Sequence, residues 1–357
     1  MSDSTSIKRG SAMTGIWRHW AKQLRDYALF GVASPTRASI EALSVLVGQN
    51  SSALLRHEPK LAHLADAEFR VFSQWGEDGI LEWLIQRLSL SATRFIEFGV
   101  GDYKEANTRF LLAHRNWKGL VIDANQAAIR ALRSDPIYWR HDLTAVSSFI
   151  DRDNINTLIT GSGFSGPLGL LSIDIDGNDY WVLESIDTVL PDIIVCEYNS
   201  VFGDLNPISI PYVGNFQRGC AHSSNLYYGA SISALVLLAN RKGYSLVGTN
   251  RAGSNAFFVR NNLFTLIDPL IASKAPLPSV VRESRDKRGK LTFLSGMERT
   301  EAIANLPVVR VDTGERKPLG NLQPLFSSQW IDIMSGNPFP ALHPPRCASQ
   351  ADRTGEF

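Results

Sequence analysis

Residues 94–102 read RFIEFGVGD, and this stretch decides the fold. A short apolar run that ends at glycine is typical of a buried strand. Gly99 and Gly101 then allow a tight turn and leave space for a ligand against the main chain. A helical pattern follows in ANTRFLLAHR at 106–115. We therefore predict a strand, a glycine turn and a helix, which together form the first unit of a parallel sheet.

Similar units lie on both sides of this stretch. The sequence predicts helices over 79–88, 126–133, 180–186 and 230–243, and strands over 119–124, near 137–140, and over 168–176, 192–199, 244–249 and 255–260. Alternation of strands and helices implies a parallel sheet covered by helices on both faces. The last two strands follow each other closely and predict an antiparallel hairpin. The predicted fold class is α/β, with a Rossmann-like, doubly wound, mostly parallel seven-stranded sheet.

Two extensions flank this core, which we place at residues 69–273. Residues 1–68 carry helical patterns, and residues 274–357 form a C-terminal extension whose last fifteen or so residues have a composition typical of disorder. In the N-terminal part, apolar residues recur at helical spacing between Ile16 and Ala28, with Arg18, Lys22 and Arg25 on other faces. This pattern predicts a basic amphipathic helix that lies on a membrane surface, on the protein's own body or on a second subunit of a homo-oligomer.

Composition excludes some classes of partner and compartment. Among 357 residues, 36 Lys and Arg balance 35 Asp and Glu, so no general electrostatic case for nucleic acid exists. The three cysteines are odd in number and form no CxxC pair, which favours a reducing compartment. The sequence contains neither an apolar run of bilayer length nor a secretory signal pattern. We expect a cytoplasmic protein, with membrane contact confined to the N-terminal helix.

The ends of the first two strands predict a nucleoside site. Ligands of open α/β sheets bind at the carboxyl ends of the strands, near the point where the strand order reverses. The second strand ends at Asp123, 26 residues after Glu97, and is followed by Ala124 and Asn125. An acid at this position can accept hydrogen bonds from the two hydroxyls of an adenosine ribose.

Two cofactors compete for this site. The glycine pattern GxGxxG of NAD-dependent oxidoreductases would need a third glycine where this chain has Lys104. Asp102 and Glu105 would repel a pyrophosphate, but they tolerate the cationic sulfonium and amino groups of S-adenosylmethionine. The residues therefore favour S-adenosylmethionine, with an NAD-dependent oxidoreductase as the alternative.

Four polar side chains follow the fourth and fifth predicted strands. Asp174 and Asp176 alternate along one strand end, as do Glu197 and Asn199 along the next, so each pair is expected to share a face. The four side chains predict either a Mg²⁺ or other divalent-cation site, or a general base with groups that bind substrate hydroxyls. The alternative is structural, with Asp176 or Asn178 capping the next helix.

The chain resembles the FkbM-like family of class I S-adenosylmethionine-dependent methyltransferases. The matching stretches lie within residues 73–259, a little over half of the chain: SQWGEDGI, FIEFGVGDYKEANTRFLL, GLVIDAN, LLSIDIDGNDYWVL, CEYNSVFG and YYGASISALVLLANRKGYSLVGTNRAGSNAFFV. The resemblance implies a class I methyltransferase domain with S-adenosylmethionine as its cofactor.

The resemblance also implies roles for residues around the glycine turn. Those implied to contact the methionine part of the cofactor are Glu97, Gly99, Gly101 and Asp102, and those implied to help hold its carboxylate are Asn107 and Thr108. Asp123 would bind the ribose, and Asp142 would approach the adenine amino group. The segment that holds Gln74, Glu77 and Asp78 would fold over the cofactor, or else only begin a helix. One departure from the pattern is Tyr103, which stands where many class I enzymes have glycine.

These predictions combine into an expected activity. The chain is expected to be an O-methyltransferase acting on a hydroxyl of a sugar or another small polar acceptor. The resemblance implies that the acceptor belongs to polysaccharide, glycolipid or natural-product biosynthesis. Asp174, Asp176 and Glu197 are the expected catalytic residues. The loop over 200–228 is long enough to be a lid, and His222 within it is either a base or metal ligand, or a surface residue. The alternative outside enzymology is an interaction protein that keeps the fold and acts through its two extensions.

Overall fold

A computed structural model describes residues 39–57 and 61–336 of the chain. The strands of its main sheet are β1 (Arg94–Phe98), β2 (Lys118–Asp123), β3 (Leu143–Ser147), β4 (Gly166–Ile173), β5 (Val189–Glu197), β7 (Tyr244–Thr249) and β8 (Asn255–Arg260). A second sheet consists of β6 (Ile208–Ser209), β9 (Pro307–Arg310) and β10 (Arg316–Pro318).

The helices pack on both faces of the main sheet and along its edges. They are α1 (residues 39–55), α2 (Glu77–Arg87), α3 (Arg109–Arg115), α4 (Gln126–Ser134), α5 (Pro136–Arg140), α6 (Ile155–Gly161), α7 (Asp179–Ser185), α8 (Arg218–Ala221), α9 (Ile232–Arg241), α10 (Asn261–Phe264), α11 (Pro269–Ala272), α12 (Met297–Glu301) and α13 (Ser328–Met334). Three short 3₁₀ helices lie at Leu64–Ala67, Ser200–Phe202 and Leu319–Asn321.

The main sheet has seven strands in the order β3-β2-β1-β4-β5-β8-β7. Strands β1 to β5 pair in parallel, and β8 runs antiparallel to both β5 and β7. The chain therefore starts at the centre, builds outward through β2 and β3, and returns to add β4 beside β1. This reversal places the switch point between β1 and β4. The predicted Rossmann-like α/β fold with its closing hairpin is confirmed.

Successive residues of each central strand pack into different cores, which explains their continuous apolar runs. Ile96 and Leu171 belong to the core on one face, while their neighbours Phe95 and Leu170 belong to the core on the other. All four side chains are fully buried. Because both faces are covered by helices, the strands show no alternation of apolar and polar residues.

The predicted strand near 137–140 is wrong. These residues form helix α5, and strand β3 begins three residues later, at Leu143. The Asp135 side chain accepts a hydrogen bond from the Ile137 N–H at 2.9 Å, and Pro136 occupies the first turn. An aspartate cap followed by proline is a strong helix-start signal, and it outweighs the apolar character of the segment.

The C-terminal extension packs against the 200–228 loop. Strand β9 pairs with β6 inside that loop, and the Thr300 hydroxyl donates to the Val201 carbonyl at 2.8 Å. Trp330 in α13 is fully buried and donates to the Pro276 carbonyl at 2.7 Å. The predicted long loop is therefore held in place by residues 274–336, which share one core with the sheet.

In the N-terminal extension, α1 covers residues 39–55 and a 3₁₀ helix lies at Leu64–Ala67, in agreement with the helical patterns predicted for this part of the chain. The amphipathic pattern at 16–28 and the predicted disorder of the last fifteen or so residues lie outside the described residues. Within residues 39–57 and 61–336, no helix combines the length and apolar character needed to cross a bilayer.

Candidate active site

A cavity of about 530 Å³ opens at the carboxyl ends of β1 to β5. This volume lies within the range of small-molecule sites. Members of both predicted constellations border it: Glu97, Gly99 and Asp123 from the nucleoside site, and Asp174, Asp176 and Glu197 from the acid cluster. The two expected sites are therefore two ends of one cavity at the switch point.

The glycine turn after β1 is tied to the end of β2. Gly99 has a φ of +77°, and a Cβ at this position would lie 1.5 Å from the carbonyl oxygen of Asp174. Gly101 has a φ of +52°, and its N–H donates to Asp123 Oδ2 at 2.7 Å. The other carboxylate oxygen of Asp123 accepts from the Asn125 N–H at 2.6 Å. Asp123 thus borders the cavity in a fixed orientation, and its contact with a ribose stays a prediction.

Glu97 fixes the chain that follows this turn. Its carboxylate accepts hydrogen bonds from the backbone N–H groups of Asn107, at 2.8 Å, and Thr108, at 3.1 Å, and from the Thr108 hydroxyl at 2.5 Å. Burial raises the pKa of Glu97 to about 7, although these three bonds oppose the shift. Glu97 and Asn107 border the cavity, whereas the Thr108 side chain points into the protein.

Tyr103 does not block the cavity. This residue adopts a φ of +62°, is completely buried, and shares a hydrogen bond of 2.8 Å with the Thr108 hydroxyl. Its ring belongs to the core on the α2 side of the sheet. Tyr103, which stands where the family pattern has glycine, therefore packs in the core and leaves the cavity open.

Asp142 and Asp102 lie outside the cavity wall. Asp142 precedes β3, so it stands at the amino-terminal edge of the sheet, where it pairs with Lys118 at 3.3 Å and has 64% of its side chain exposed. The role implied for Asp142 near an adenine is therefore corrected, because the cavity opens at the opposite edge. Asp102 forms an ion pair with Lys104 at the surface beside the turn.

Three residues after β3 take the place expected for Asp142. Ser148, Phe149 and Ile150 follow the carboxyl end of this strand and border the cavity next to Asp123 and Ala124. The sequence contained a signal for them in the alternating LTAVS at 143–147. They were missed because the third strand was placed too early in the chain.

Asn125 caps a helix. Its side-chain oxygen accepts hydrogen bonds from the N–H groups of Ala127 and Ala128, at 3.0 and 3.1 Å, at the start of α4. We expect Asn125→Ala to lower the free energy of unfolding by about 1 kcal/mol, the usual value of such a cap. Affinity for an adenosyl ligand should change less than twofold. Chemical denaturation and calorimetry on the same variant measure both quantities, and a large loss of affinity at unchanged stability would contradict the capping role.

The segment before α2 is fixed by two buried acids. Asp78 accepts hydrogen bonds from three consecutive backbone N–H groups, those of residues 71–73, and from the Ser73 hydroxyl. Glu77 accepts from the side chains of Asn250 and Asn255, at 2.7 and 2.9 Å, in the β7–β8 hairpin. These contacts hold Gln74 at the cavity wall, where the family resemblance implied it.

Three carboxylates converge at the other end of the cavity. One oxygen from each of Asp174, Asp176 and Glu197 lies within 4.8 Å of the others. Burial, followed by the repulsion among these acids, raises the pKa of Asp174 and of Glu197 well above the ordinary carboxyl range. The Tyr228 hydroxyl donates to Glu197 Oε1 at 3.3 Å. The second oxygen of Glu197, Oε2, accepts no hydrogen bond from the described residues. If Asp174 is protonated, its carboxyl group can donate a hydrogen bond to Glu197.

Arg218 is a cavity residue that the sequence did not predict. It lies on α8 in the 200–228 loop, and its Nη1 is 2.6 Å from Asp176 Oδ1. Its guanidinium stands 3.9 Å from the centre of the Tyr228 ring, and its Nε donates to the Asn225 carbonyl at 2.6 Å. Phe216, on the same loop, packs against Gly177 and also borders the cavity. These two residues bring the 200–228 loop to the cavity wall, while its role as a lid stays a prediction.

Asn199 is not part of the acid cluster. Its amide donates to the carbonyls of Leu226 and Tyr228, and its oxygen accepts from the Val201 N–H at 3.0 Å. Strand β5 ends at Glu197, so the period of two no longer holds at residue 199. The prediction of Asn199 as a metal ligand is corrected: this side chain holds the 226–228 backbone.

Neither Asp176 nor Asn178 caps α7 with its side chain, and His222 lies outside the cavity wall. Asp179, and not Asp176 or Asn178, secures the turn before α7, because its carboxylate accepts from the N–H groups of Ile175 and Gly177 at 2.8 and 2.9 Å. The His222 ring contacts the Ser224 hydroxyl at 2.7 Å and does not border the cavity. Asp176 therefore stays available to the acid cluster.

Comparison with known proteins adds structural neighbours only. No protein-family model matches the chain, and no curated protein matches it either. Similar solved structures include an S-adenosylmethionine-dependent methyltransferase from Clostridium acetobutylicum ATCC 824, at 9% identity over 52% of this chain and 90% of that one, with a TM-score of 0.34. Others are the N-terminal domain of EvdMO1 with SAH bound (11% identity, 47% and 73% coverage, TM-score 0.32) and the CurJ carbon methyltransferase (13%, 51% and 52%, 0.33).

The matches span about half of the CurJ chain and most of the other two. At TM-scores below 0.5 these likenesses carry no argument about function, and the fold follows from the strand order of the sheet itself. The FkbM-like resemblance stays an expectation from the sequence motifs.

Proposed function

We propose that this protein transfers a methyl group from S-adenosylmethionine to a hydroxyl of a small polar acceptor. The charge of the cavity carries this proposal. Among the described residues that border it, Arg218 is the single cation, and six carry carboxyl groups: Glu97, Glu105, Asp123, Asp174, Asp176 and Glu197. A sulfonium and an ammonium group placed against this wall would lower the raised pKa values of Glu97, Asp174 and Glu197, because an adjacent positive charge stabilises the ionised acid. The cavity therefore favours a cationic ligand over an anionic one.

The start of α3 argues against a dinucleotide. A pyrophosphate binds the free N–H groups at the helix that follows the glycine turn. Here the N–H groups of Asn107 and Thr108 already donate to the carboxylate of Glu97. A pyrophosphate would therefore meet a carboxylate in place of donors. An NAD-dependent oxidoreductase would need these N–H groups to bind the pyrophosphate of its cofactor, and here they are already engaged.

The cavity residues fit the adenosyl cofactor from end to end. Glu97 would face its amino group, Asp123 its ribose hydroxyls, and Phe149 with Ile150 its adenine. Two buried amide oxygens at the wall, Asn178 Oδ1 and Asn255 Oδ1, accept no hydrogen bond from the described residues and await a donor. When bound, the cofactor supplies an electrophilic methyl group on a cationic sulfur.

Glu197 is the proposed general base. As the acceptor oxygen forms its bond to the methyl carbon, the carbon–sulfur bond breaks and its electron pair stays on sulfur, while the hydroxyl proton passes to Glu197. Asp174 and the Tyr228 hydroxyl orient this carboxylate. Alignment of acceptor and donor, together with exclusion of water, supplies the remaining rate enhancement. A sugar hydroxyl is the acceptor class we propose, and the FkbM-like resemblance supports this choice.

A methyl-transfer assay tests the proposal. The full chain is incubated with cofactor that carries a trideuterated methyl group and with neutral mono- and oligosaccharides, and products are analysed by mass spectrometry. We expect a product heavier by one trideuterated methyl group. Methylation of a hydroxyl forms an ether, so this group should survive mild acid and base treatment. Its loss would show that a carboxyl group, and not a hydroxyl, had been methylated. Consumption of NAD with the same acceptors, and no labelled product, would support the oxidoreductase instead.

The rate should rise with pH through a shifted carboxyl pKa. Glu197 acts only when ionised, and burial with neighbouring acids raises its pKa, so the rising limb of kcat/KM should lie well above the ordinary glutamate value of about 4.3. The charge of Arg218 lowers this pKa, so Arg218→Met should move the limb to higher pH, whereas Arg218→Lys should leave it nearly in place. A limb near pH 4 that neither variant moves would contradict the assignment of Glu197 as base.

Arg218 also provides a test of the predicted cation site. Three of the four predicted ligands converge, but the guanidinium already bonds to one of them, Asp176. We expect Arg218→Met to bind Mn²⁺ at least about tenfold more tightly than the native chain. Without the guanidinium, the metal ion is no longer repelled by a positive charge, and Asp176 is free to bind it. Electron paramagnetic resonance of added Mn²⁺ measures this. Equal and tight binding by both proteins would show that Arg218 does not compete with a cation.

A further inference from the structure

Helix α1 presents an apolar face that no described residue covers. Ile40, Leu43, Val47 and Leu54 are each more than half exposed, and residues at this spacing lie on one side of a helix. Leu46 flanks them and is 56% exposed. Elsewhere in the described chain the exposed large apolar side chains are scattered, whereas here five fall on one helix. A concentration of this kind marks a surface that binds something.

The opposite face of α1 is firmly attached to the core domain. Glu41 forms an ion pair with Arg109 at 2.6 Å, and the Gln86 side chain donates to the Ser52 carbonyl at 2.9 Å. Gly48 lies so close to Val71 and Phe110 that a Cβ would approach the Phe110 ring to 2.9 Å. The orientation of α1 is therefore fixed by polar and close apolar contacts, and its apolar stripe faces outward because of them.

The sequence before α1 contains a segment that complements this stripe. Apolar residues recur at helical spacing at Ile16, Trp17, Trp20, Leu24 and Tyr27. As a helix, residues 16–28 would extend about 18 Å, and the stripe from Ile40 to Leu54 extends about 21 Å. Ten residues, 29–38, join the two. Adjacent antiparallel helices are usually joined by roughly two to eight residues, so this linker is long enough for the two segments to lie side by side and still short enough to keep them close.

We propose that residues 16–28 cover the apolar face of α1 within the same chain. The tether favours this occupant, because a short linker gives the segment an effective concentration near α1 in the millimolar range. Its basic residues, Arg18, Lys22 and Arg25, lie on other faces of the pattern and stay in solvent. The segment then completes a helical hairpin on the side of the domain, away from the cavity at the strand ends.

Thiol accessibility in the full chain tests this proposal. In a background with Cys220→Ser and Cys347→Ser, Val47→Cys places a probe at the centre of the stripe, and Leu190→Cys places a comparison probe at an exposed apolar site on β5. We expect Ellman's reagent to react at least about tenfold more slowly at position 47 than at position 190. Adding Trp17→Ser with Trp20→Ser should remove the difference, whereas Trp139→Ser, at an exposed tryptophan on α5, should preserve it.

Other occupants predict different results in the same assay. Protection of position 47 that disappears on dilution would assign the face to a second copy of the chain. Protection that appears only with vesicles of anionic phospholipid would assign it to a membrane. Either result, or rapid reaction at position 47 in the otherwise unchanged chain, would overturn the proposal, as would protection that survives loss of both tryptophans.

Discussion

Replacing Asp123 by alanine is expected to weaken binding of S-adenosylhomocysteine by at least about 100-fold. One carboxylate oxygen accepts from the Gly101 N–H and the other from the Asn125 N–H, so the side chain is held at the cavity wall before a ligand arrives. Each hydrogen bond from a ribose hydroxyl to this charged acceptor contributes about 1.5–3 kcal/mol, and two are lost. Because about 1.4 kcal/mol corresponds to a factor of ten, the loss reaches two powers of ten.

Asp142→Ala is the matched control for this change. Asp142 is also an aspartate that the family resemblance assigned to the cofactor, but it lies at the opposite edge of the sheet with Lys118. Its replacement should change the affinity less than twofold. Thermal unfolding of both variants establishes that the fold persists. Equal affinities for the two variants would place the ribose elsewhere.

Glu197→Gln is expected to lower kcat by a factor of about 10²–10⁴, the usual contribution of a general base. The amide keeps the size of the side chain and can still accept from the Tyr228 hydroxyl, but it cannot take the acceptor's proton. The affinity for S-adenosylhomocysteine should change less than about threefold, since Glu197 lies at the acid-cluster end of the cavity. The effect therefore belongs to the chemical step.

Glu184→Gln serves as the control for this second variant. Glu184 is an exposed glutamate on α7, away from the cavity wall, and its replacement should leave kcat unchanged. If Glu197→Gln retained full activity, the base would have to be another group, with Asp174 and Asp176 of the same cluster the next candidates. If it lost cofactor affinity as strongly as activity, Glu197 would be a binding residue.

Much of the fold could be predicted because its strands are continuous apolar runs with clear ends. Phe95 to Phe98 and Leu168 to Ile173 are buried on both faces, and no other element explains such runs as simply. The third strand was harder, because LTAVS is short and a more apolar segment, IYWR, precedes it. The cap at Asp135 and the proline after it were the signals that distinguish helix from strand there.

The site was predictable only where residues follow strand ends directly. Glu97, Asp123 and Asp174 stand at or next to such ends, and all three border the cavity. Arg218 could not be predicted in the same way, because the long loop that carries it is positioned by contacts with residues 274–336, far away in sequence. Asn199 was assigned to the cluster by a period of two that ends with its strand.

Calorimetric titration of the full chain with S-adenosylhomocysteine and, separately, with NAD bears most directly on the acidic, glycine-opened cavity proposed here. We expect S-adenosylhomocysteine to bind at least about 100-fold more tightly than NAD, a difference of about 2.7 kcal/mol. Tight binding of NAD with no heat from S-adenosylhomocysteine would contradict the proposed cofactor.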